Sequence, residues 1–394
     1  MMPSLILPAA ILLSARYAAA TWINNGTAGT APLPGTYYPP DAECVEYQIP
    51  VTVTSNNIVF NITEWQDDYA LQDFLTFITT RQSAGYPGFV AGEKEETETF
   101  NIAASFCTPK AAQKKKTVII ATHGIGQART HWNSQREPEK YNFVQHAIDQ
   151  GYSIFFYDRL GCGDSQKVSG YTNQSRKQRE ILRQLTTLIR QGQYTGSLGK
   201  PDKVVAMGFS FGSYVTHYTV AAYPELFDGA VLTAINYNFT GLNPNGLWRS
   251  FVPRVAALQS PSTFGSLDTG YVTWVDVIAQ INTYFKYPFY DASTAAYAEA
   301  NKNPFAVGEF ISIASDDLDA GNFTGAALAI TAKTDYIICD GECAGIFEEP
   351  ARTIFRNAKT FTPYLHPNAS HNINFHFNAT GAFNVITDFL NENI

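Results

Sequence analysis

From residue 117 onward, short apolar runs alternate with longer amphipathic stretches, the runs falling at residues 118–121, 154–157, 204–207, 230–235 and 326–330, with a weaker one at 360–365. An apolar run without polar alternation is the form of a strand buried on both faces. Amphipathic stretches between such runs are the crossover helices that cover a parallel sheet. Two of these helices show a clear apolar face: Ile181, Leu182, Leu185, Leu188 and Ile189 before the third run, and Phe383, Ile386, Phe389 and Leu390 near the end. Upstream the period changes to two. Residues 44–60 and 98–106 alternate, most clearly at Phe100, Ile102, Ala104 and Phe106, which predicts strands. Between them Tyr69, Leu71, Phe74, Leu75 and Ile78 recur at helical spacing. Residues 21–40, rich in Gly, Pro and Thr, read as an extended arm that packs little.

The fold class that follows is α/β, a mostly parallel central sheet with helices on both faces and an N-terminal β-rich extension. The alternation breaks over residues 240–317, too long for a simple connection between consecutive strands, which predicts an insertion. The insertion is dense in aromatic residues, so it either builds a small core of its own or roofs an apolar ligand; Trp274, Tyr284 and Tyr287 are the candidates for lining a pocket. The chain accordingly divides into a leader at 1–20, an arm and β-rich extension at 21–110, a first core segment at 111–239, a helical lid insertion at 240–321 and a second core segment at 322–394.

Composition narrows the partners. A formal net charge of −8 repels phosphate backbones and anionic lipid, so nucleic acid and stable membrane association are not expected. The apolar run at residues 5–13, followed by Tyr17-Ala18-Ala19-Ala20, reads as a signal peptide cleaved after Ala20, which implies a secreted protein. Seven N-x-Ser/Thr sequons, at Asn25, Asn61, Asn173, Asn238, Asn322, Asn368 and Asn378, are candidate glycosylation sites that fit that route. Of the five cysteines, Cys44 with Cys107 and Cys339 with Cys343 are the expected disulfides, leaving Cys162. No C-x-x-C pair or histidine at ligand spacing suggests a metal, and no cofactor is implied.

The chemistry concentrates at Gly208-Phe209-Ser210-Phe211-Gly212, where the 204–207 run ends and a helical stretch through Tyr214, Val215, Tyr218 and Ala221 begins. Glycines on both sides of a serine allow a sharp strand-to-helix turn that lifts the hydroxyl clear of a sheet. A serine hydroxyl is a weak nucleophile, so it needs a base, and the base needs a carboxylate to orient it. Asp335, just beyond the 326–330 run, is the candidate acid, with Asp340 its rival. Three histidines follow the last strand, and His371, midway between His366 and His376, is the candidate base. After the first core run, Thr122-His123-Gly124-Ile125-Gly126 offers the amide of Ile125 as an oxyanion donor beside that of Phe211, and His123 as a residue that shapes the loop.

Together His123-Gly124, the segment Asp158-Arg159-Leu160-Gly161-Cys162-Gly163-Asp164-Ser165, the Gly208 to Gly212 turn, Asp335 and Ser370-His371-Asn372 resemble the α/β-hydrolase superfamily. More narrowly, the asparagine-rich tail from His371 and the aromatic insertion resemble secreted fungal members. The resemblance implies an α/β-hydrolase fold, a structural role for the 158–165 loop and a Ser210–His371–Asp335 triad. The expected chemistry is two-step acyl transfer, on an ester or lactone because such leaving groups need less help than an amine, and on a largely apolar small molecule because the insertion offers flat aromatic surface. Ser370 departs from the glycine common before the base, and Phe209 and Phe211 flank the serine. A biosynthetic acyltransferase or lyase, an amidase or peptidase on the same triad, and a catalytically silent binding protein remain alternatives.

Overall fold

The computed structural model of the protein describes residues 21–24, 27–30, 33, 36–79, 88–111, 115–238 and 244–394. The expected signal peptide at 1–20 and the Asn25 sequon lie outside the described residues.

The buried apolar runs become the strands of one large sheet. Its strands are β1 (Thr21–Asn24), β2 (Thr27–Thr30), β3 (Ala42–Phe60), β4 (Val90–Pro109), β5 (Thr117–Thr122), β6 (Ser153–Tyr157), β7 (Lys203–Phe209) and β8 (Gly229–Thr233). After the insertion, which carries β9 (Arg254–Val255), β10 (Tyr271–Thr273) and β11 (Phe305–Ala306), come β12 (Ala326–Ala332) and β13 (Thr360–His366). The order is β1-β2-β3-β4-β6-β5-β7-β8-β12-β13. From β6 to β13 every neighbouring pair is parallel. On the other side β1 to β4 continue the same sheet in antiparallel pairs and join it through β4 and β6. All residues of β5, β6, β8 and β12 are buried, as unbroken apolar runs require. The helices Ser175–Arg190 and Ala379–Asn393 bury the faces read from their periodicity, Ile181, Leu182, Leu185 and Ile189 in the first and Phe383, Ile386, Phe389 and Leu390 in the second.

Three sequence readings need adjustment. The arm is not loose: β1 and β2 pair, and Gly29 lies so close to β3 that a Cβ there would meet Val45 at 2.2 Å and Tyr47 at 2.6 Å. The upstream alternation spans a longer ribbon than expected, because β3 and β4 stay paired from Ala42 with Pro109 to Phe60 with Val90. The insertion is not purely helical, since β11, β10 and β9 form a separate three-stranded sheet among its helices. Cys44 and Cys107 face each other across that ribbon and are bonded, as are Cys339 and Cys343, and Cys162 is free and buried. Among the described residues no helix is long and apolar enough to cross a membrane.

Candidate active site

Four loops leave the carboxyl ends of β5, β7, β12 and β13 on the same edge of the sheet, where open α/β sheets bind ligands. The loop after β7 is the tightest. Ser210 adopts φ 54° and ψ −122°, a conformation that a side chain disfavours. Two glycines make the turn possible: a Cβ at Gly208 would lie 2.5 Å from the Gly212 carbonyl, and one at Gly212 would lie 2.3 Å from that of Thr122. The turn is clamped from β8, whose Thr233 carbonyl accepts from the Ser210 amide at 3.0 Å and from Ser213 Oγ at 2.6 Å. The helix Phe211–Ala222 starts at once, so Ser210 stands at its N-terminus with its hydroxyl presented above the sheet edge.

His371 Nε2 lies 2.8 Å from Ser210 Oγ, and His371 Nδ1 lies 2.8 Å from Asp335 Oδ2. His371 and Asp335 are completely buried, and Ser210 is half-buried. The second carboxylate oxygen, Oδ1, accepts from the Ile338 amide at 3.0 Å, which fixes the carboxylate at the start of the helix Tyr336–Cys339. A carboxylate on Nδ1 keeps the proton there and leaves Nε2 to accept from the serine. Asp340 is exposed and does not approach the histidine.

The departure at Ser370 has a structural reason. Its hydroxyl donates to the Thr334 carbonyl at 3.0 Å while Thr334 Oγ1 donates to the Ala369 carbonyl at 2.8 Å, so the acid and base loops are laced together. His376 supports the same loop. Its Nδ1 donates to the Asn372 carbonyl at 2.8 Å and its Nε2 accepts from the Ser370 amide at 3.2 Å. Burial holds its pKa down to about 4, so it stays a neutral acceptor. His366 contacts the Asn378 carbonyl at 2.9 Å and takes no part in the constellation.

Across from the base, the amides of Ile125 and Phe211 donate to no acceptor among the described residues, and both residues border the cavity at Ser210. The loop that carries Ile125 is held from below. His123 Nε2 accepts from the Arg159 amide at 3.0 Å and its Nδ1 donates to the Gly124 carbonyl at 2.9 Å. Arg159 itself donates to the carbonyls of His123 at 3.0 Å and Gly124 at 3.2 Å, and its guanidinium pairs with Glu309. Both ends of that ion pair are completely buried. Sequence reasoning missed Glu309, because a lone acid inside an aromatic insertion has no periodic or motif signal.

The cavity above Ser210 has a volume of about 200 Å³ and is walled by apolar groups, among them Tyr214, Tyr218, Phe251, Phe310 and Ile337. The tyrosine hydroxyls are spent on the backbone, Tyr214 donating to Asn236 O at 2.9 Å and Tyr218 to Ile313 O, so their rings face the space. Their spacing of four along the helix that follows the serine was the available signal, since it repeats one helical face from Ser210. Of the three aromatic candidates from the insertion, only Tyr284 lines this cavity. It also donates to the Ile125 carbonyl at 3.1 Å, accepts from the Asn372 amide at 3.0 Å through its own carbonyl, and rests its ring 5.3 Å from that of His371. Trp274 is 1% exposed, packs on Gly126 and does not line this cavity. Tyr287 is 82% exposed and faces outward, so it does not line the cavity.

Of the described sequons, Asn173 is excluded as a glycan site by its surroundings: it is wholly buried, and its Nδ2 donates to the Leu160 carbonyl at 2.9 Å. Asn61, Asn322 and Asn368 are exposed, and Asn238 and Asn378 are partly so. Among the described residues no group of three or more histidine, cysteine or acidic side chains is placed to hold a metal ion.

A parallel sheet that carries a serine on a strand-to-helix turn, an acid and a base on later loops and free amides on an earlier one defines an α/β-hydrolase architecture. The sequence model of the alpha/beta hydrolase family matches residues 118–383, more than half of the chain, and the chain belongs to that family. The fold is similar to that of a thermophilic esterase from Thermogutta terrifontis, at 15% identity, with 88% of this chain and 98% of that chain covered and a TM-score of 0.50. The protein Rv0554 from Mycobacterium tuberculosis gives a TM-score of 0.51 at 15% identity, covering 75% of this chain and 96% of that one. The alpha/beta hydrolase GrgF from a Penicillium species covers 75% of this chain and 94% of its own, with a TM-score of 0.48 at 15% identity. At such identities the likeness is one of fold. No curated protein matches the chain in sequence.

Proposed function

We propose that the protein is a secreted serine hydrolase that cleaves an ester or lactone bond in a largely apolar small molecule. The observation that carries the reading is the continuous relay from Asp335 through His371 to Ser210, with both contacts at 2.8 Å, opening on an apolar cavity. In the first step His371 Nε2 takes the Ser210 proton as Oγ attacks the carbonyl carbon, and the developing oxyanion accepts from the amides of Ile125 and Phe211. Asp335 stabilises the imidazolium. Collapse expels the alcohol, protonated by His371, and leaves an acyl-enzyme. Water, deprotonated by His371, then attacks the acyl carbon and restores the serine. Each oxyanion donor is worth about 3 kcal/mol of barrier.

The apolar cavity supports an acyl group as the part of the substrate it encloses, since hydrocarbon gains about 25 cal/mol per Å² on leaving water. Secretion is supported by the apolar leader at 5–13 and by the two disulfides, which persist in oxidising compartments. The test is a panel of p-nitrophenyl acyl esters of graded chain length, assayed with the protein and with Ser210→Ala. Saturable turnover that rises with chain length until the cavity is full, and vanishes in Ser210→Ala, is expected. Turnover of no ester or lactone overturns the proposal.

A further inference from the structure

The two amides that face the nucleophile belong to peptides whose carbonyl ends are both engaged. The Phe211 amide shares its peptide with the Ser210 carbonyl, which accepts from the amides of Ser213 at 2.8 Å and Tyr214 at 3.2 Å. Those bonds are the first turn of the helix Phe211–Ala222, and they polarise the peptide so that its N–H becomes a stronger donor. Ile125 lies in a turn and has no helix to do this. Its amide shares a peptide with the Gly124 carbonyl, which accepts instead from His123 Nδ1 at 2.9 Å and from Arg159 Nη2 at 3.2 Å.

These two partners differ in charge. Burial, and then the charge of Arg159 beside it, hold the His123 pKa well below its ordinary value, so the imidazole is neutral. The guanidinium keeps its charge. It is completely buried and all three of its nitrogens are used: Nε donates to the His123 carbonyl at 3.0 Å, Nη2 to the Gly124 carbonyl, and Nη1 pairs with Glu309. Two nitrogens therefore serve the donor loop, and the counter-ion takes the third. Arg159 Cζ also lies 4.6 Å from the centre of the ring of Phe211, the residue that bears the other donor. A cation hydrogen-bonded to a carbonyl draws electron density along the peptide, and the low dielectric of a buried site preserves the effect.

We infer that Arg159 is a positioning residue for acyl transfer, a role that rests on the serine-hydrolase reading above. Through the Gly124–Ile125 peptide its charge orients and strengthens the Ile125 oxyanion donor, as the helix does for Phe211. The benefit falls on the tetrahedral intermediate, whose oxygen is an anion, and hardly on the neutral ester.

The test uses two ligands of one chain length. An alkyl trifluoromethyl ketone adds Ser210 Oγ to its carbonyl carbon, the proton passing to His371, and leaves an oxyanion between the two amides; the matching trifluoromethyl carbinol fills the same cavity without one. Inhibition constants for both are measured beside kcat and KM for a p-nitrophenyl ester. The double variant Arg159→Met with Glu309→Leu removes the charge without stranding a buried carboxylate. It is expected to lower kcat and ketone affinity about a hundredfold each, with KM and carbinol affinity within about twofold of wild type. Arg159→Lys keeps a positive charge but lacks the fork that spans both carbonyls, so its loss should be smaller, about tenfold, and again confined to kcat and the ketone. Unchanged ketone affinity in the double variant, or ketone and carbinol affinities that fall together, overturns the inference. If the double variant does not fold, Arg159→Lys decides alone: a loss confined to the ketone upholds the inference, and no loss or an equal loss of both ligands overturns it. A wild-type protein that forms no ketone adduct and cleaves no ester overturns the serine-hydrolase reading instead.

Discussion

Replacing Ser210 by glycine should leave the protein more stable than replacing it by alanine, although both variants lose the proposed nucleophile. Both substitutions remove the hydroxyl and its 2.8 Å contact with His371 Nε2, so that loss cancels in the comparison. What differs is the backbone. At φ 54° and ψ −122° a residue with a Cβ is held in a conformation that costs about 1–3 kcal/mol, whereas glycine adopts it freely. Glycine also makes the unfolded chain more flexible, which offsets roughly 0.5–1 kcal/mol of the gain. The expected net difference is about 1 kcal/mol in favour of glycine. With an unfolding entropy near 2.1 cal/mol/K per residue, that moves the Tm of a chain this long by about 1 °C. Differential scanning calorimetry of the two variants side by side resolves such a shift, and the midpoint of urea unfolding checks it independently. If the glycine variant melts at or below the alanine variant, the turn is not strained and the argument from Gly208 and Gly212 fails with it.

Asp335→Asn should lower kcat by about 10⁴ through loss of the imidazole tautomer that accepts from serine, while the exposed Asp340→Asn stays near wild type; the reverse order in a steady-state assay would move the acid to the Cys339–Cys343 turn. Glu309→Gln strands a completely buried Arg159, so it should cost about 3–5 kcal/mol in denaturant unfolding and depress turnover by loosening the Ile125 loop, and a variant as stable as the wild type would contradict the pairing. For pH, the buried His376 titrates near 4 when folded and near 6.5 when unfolded. The unfolded chain therefore binds the extra proton first, and this contribution to stability is complete above pH 6.5 and is lost as the pH falls toward 4. His376→Gln should accordingly lose roughly 2 kcal/mol less than wild type between pH 7 and pH 4.5, and parallel stability curves for the two proteins would refute the assignment.

Much of this architecture is written locally in the chain. β5, β6, β7, β8 and β12 are unbroken apolar runs because both faces are covered, and that is a signal confined to a few adjacent residues. Ser210 is legible for the same reason: the glycines that permit its turn stand two positions to either side. Asp335 and His371 are legible as candidates by their order and by their place past a strand end, but Asp340 lies past the same strand end, and only the folded contacts at 2.8 Å bring Asp335 and not Asp340 to His371. The insertion resists such reading. Its aromatic residues follow no single period, since they pack against one another and against several core loops at once. Trp274, Tyr284 and Tyr287 are therefore equivalent in sequence and differ only in place: one under Gly126, one between Ile125 and His371, one at the surface. The Arg159–Glu309 pair was hidden likewise, because its partners meet only when the insertion folds back on the sheet edge.

Acyl transfer by this site requires Ser210 to be a nucleophile activated by His371. The most direct measurement is reaction of the folded protein with a fluorophosphonate probe, followed by mass spectrometry of the digested product. One equivalent of adduct is expected on the peptide that contains Ser210, with labelling slowed by orders of magnitude in His371→Ala. An unlabelled, correctly folded protein, or an adduct on another serine, would contradict it.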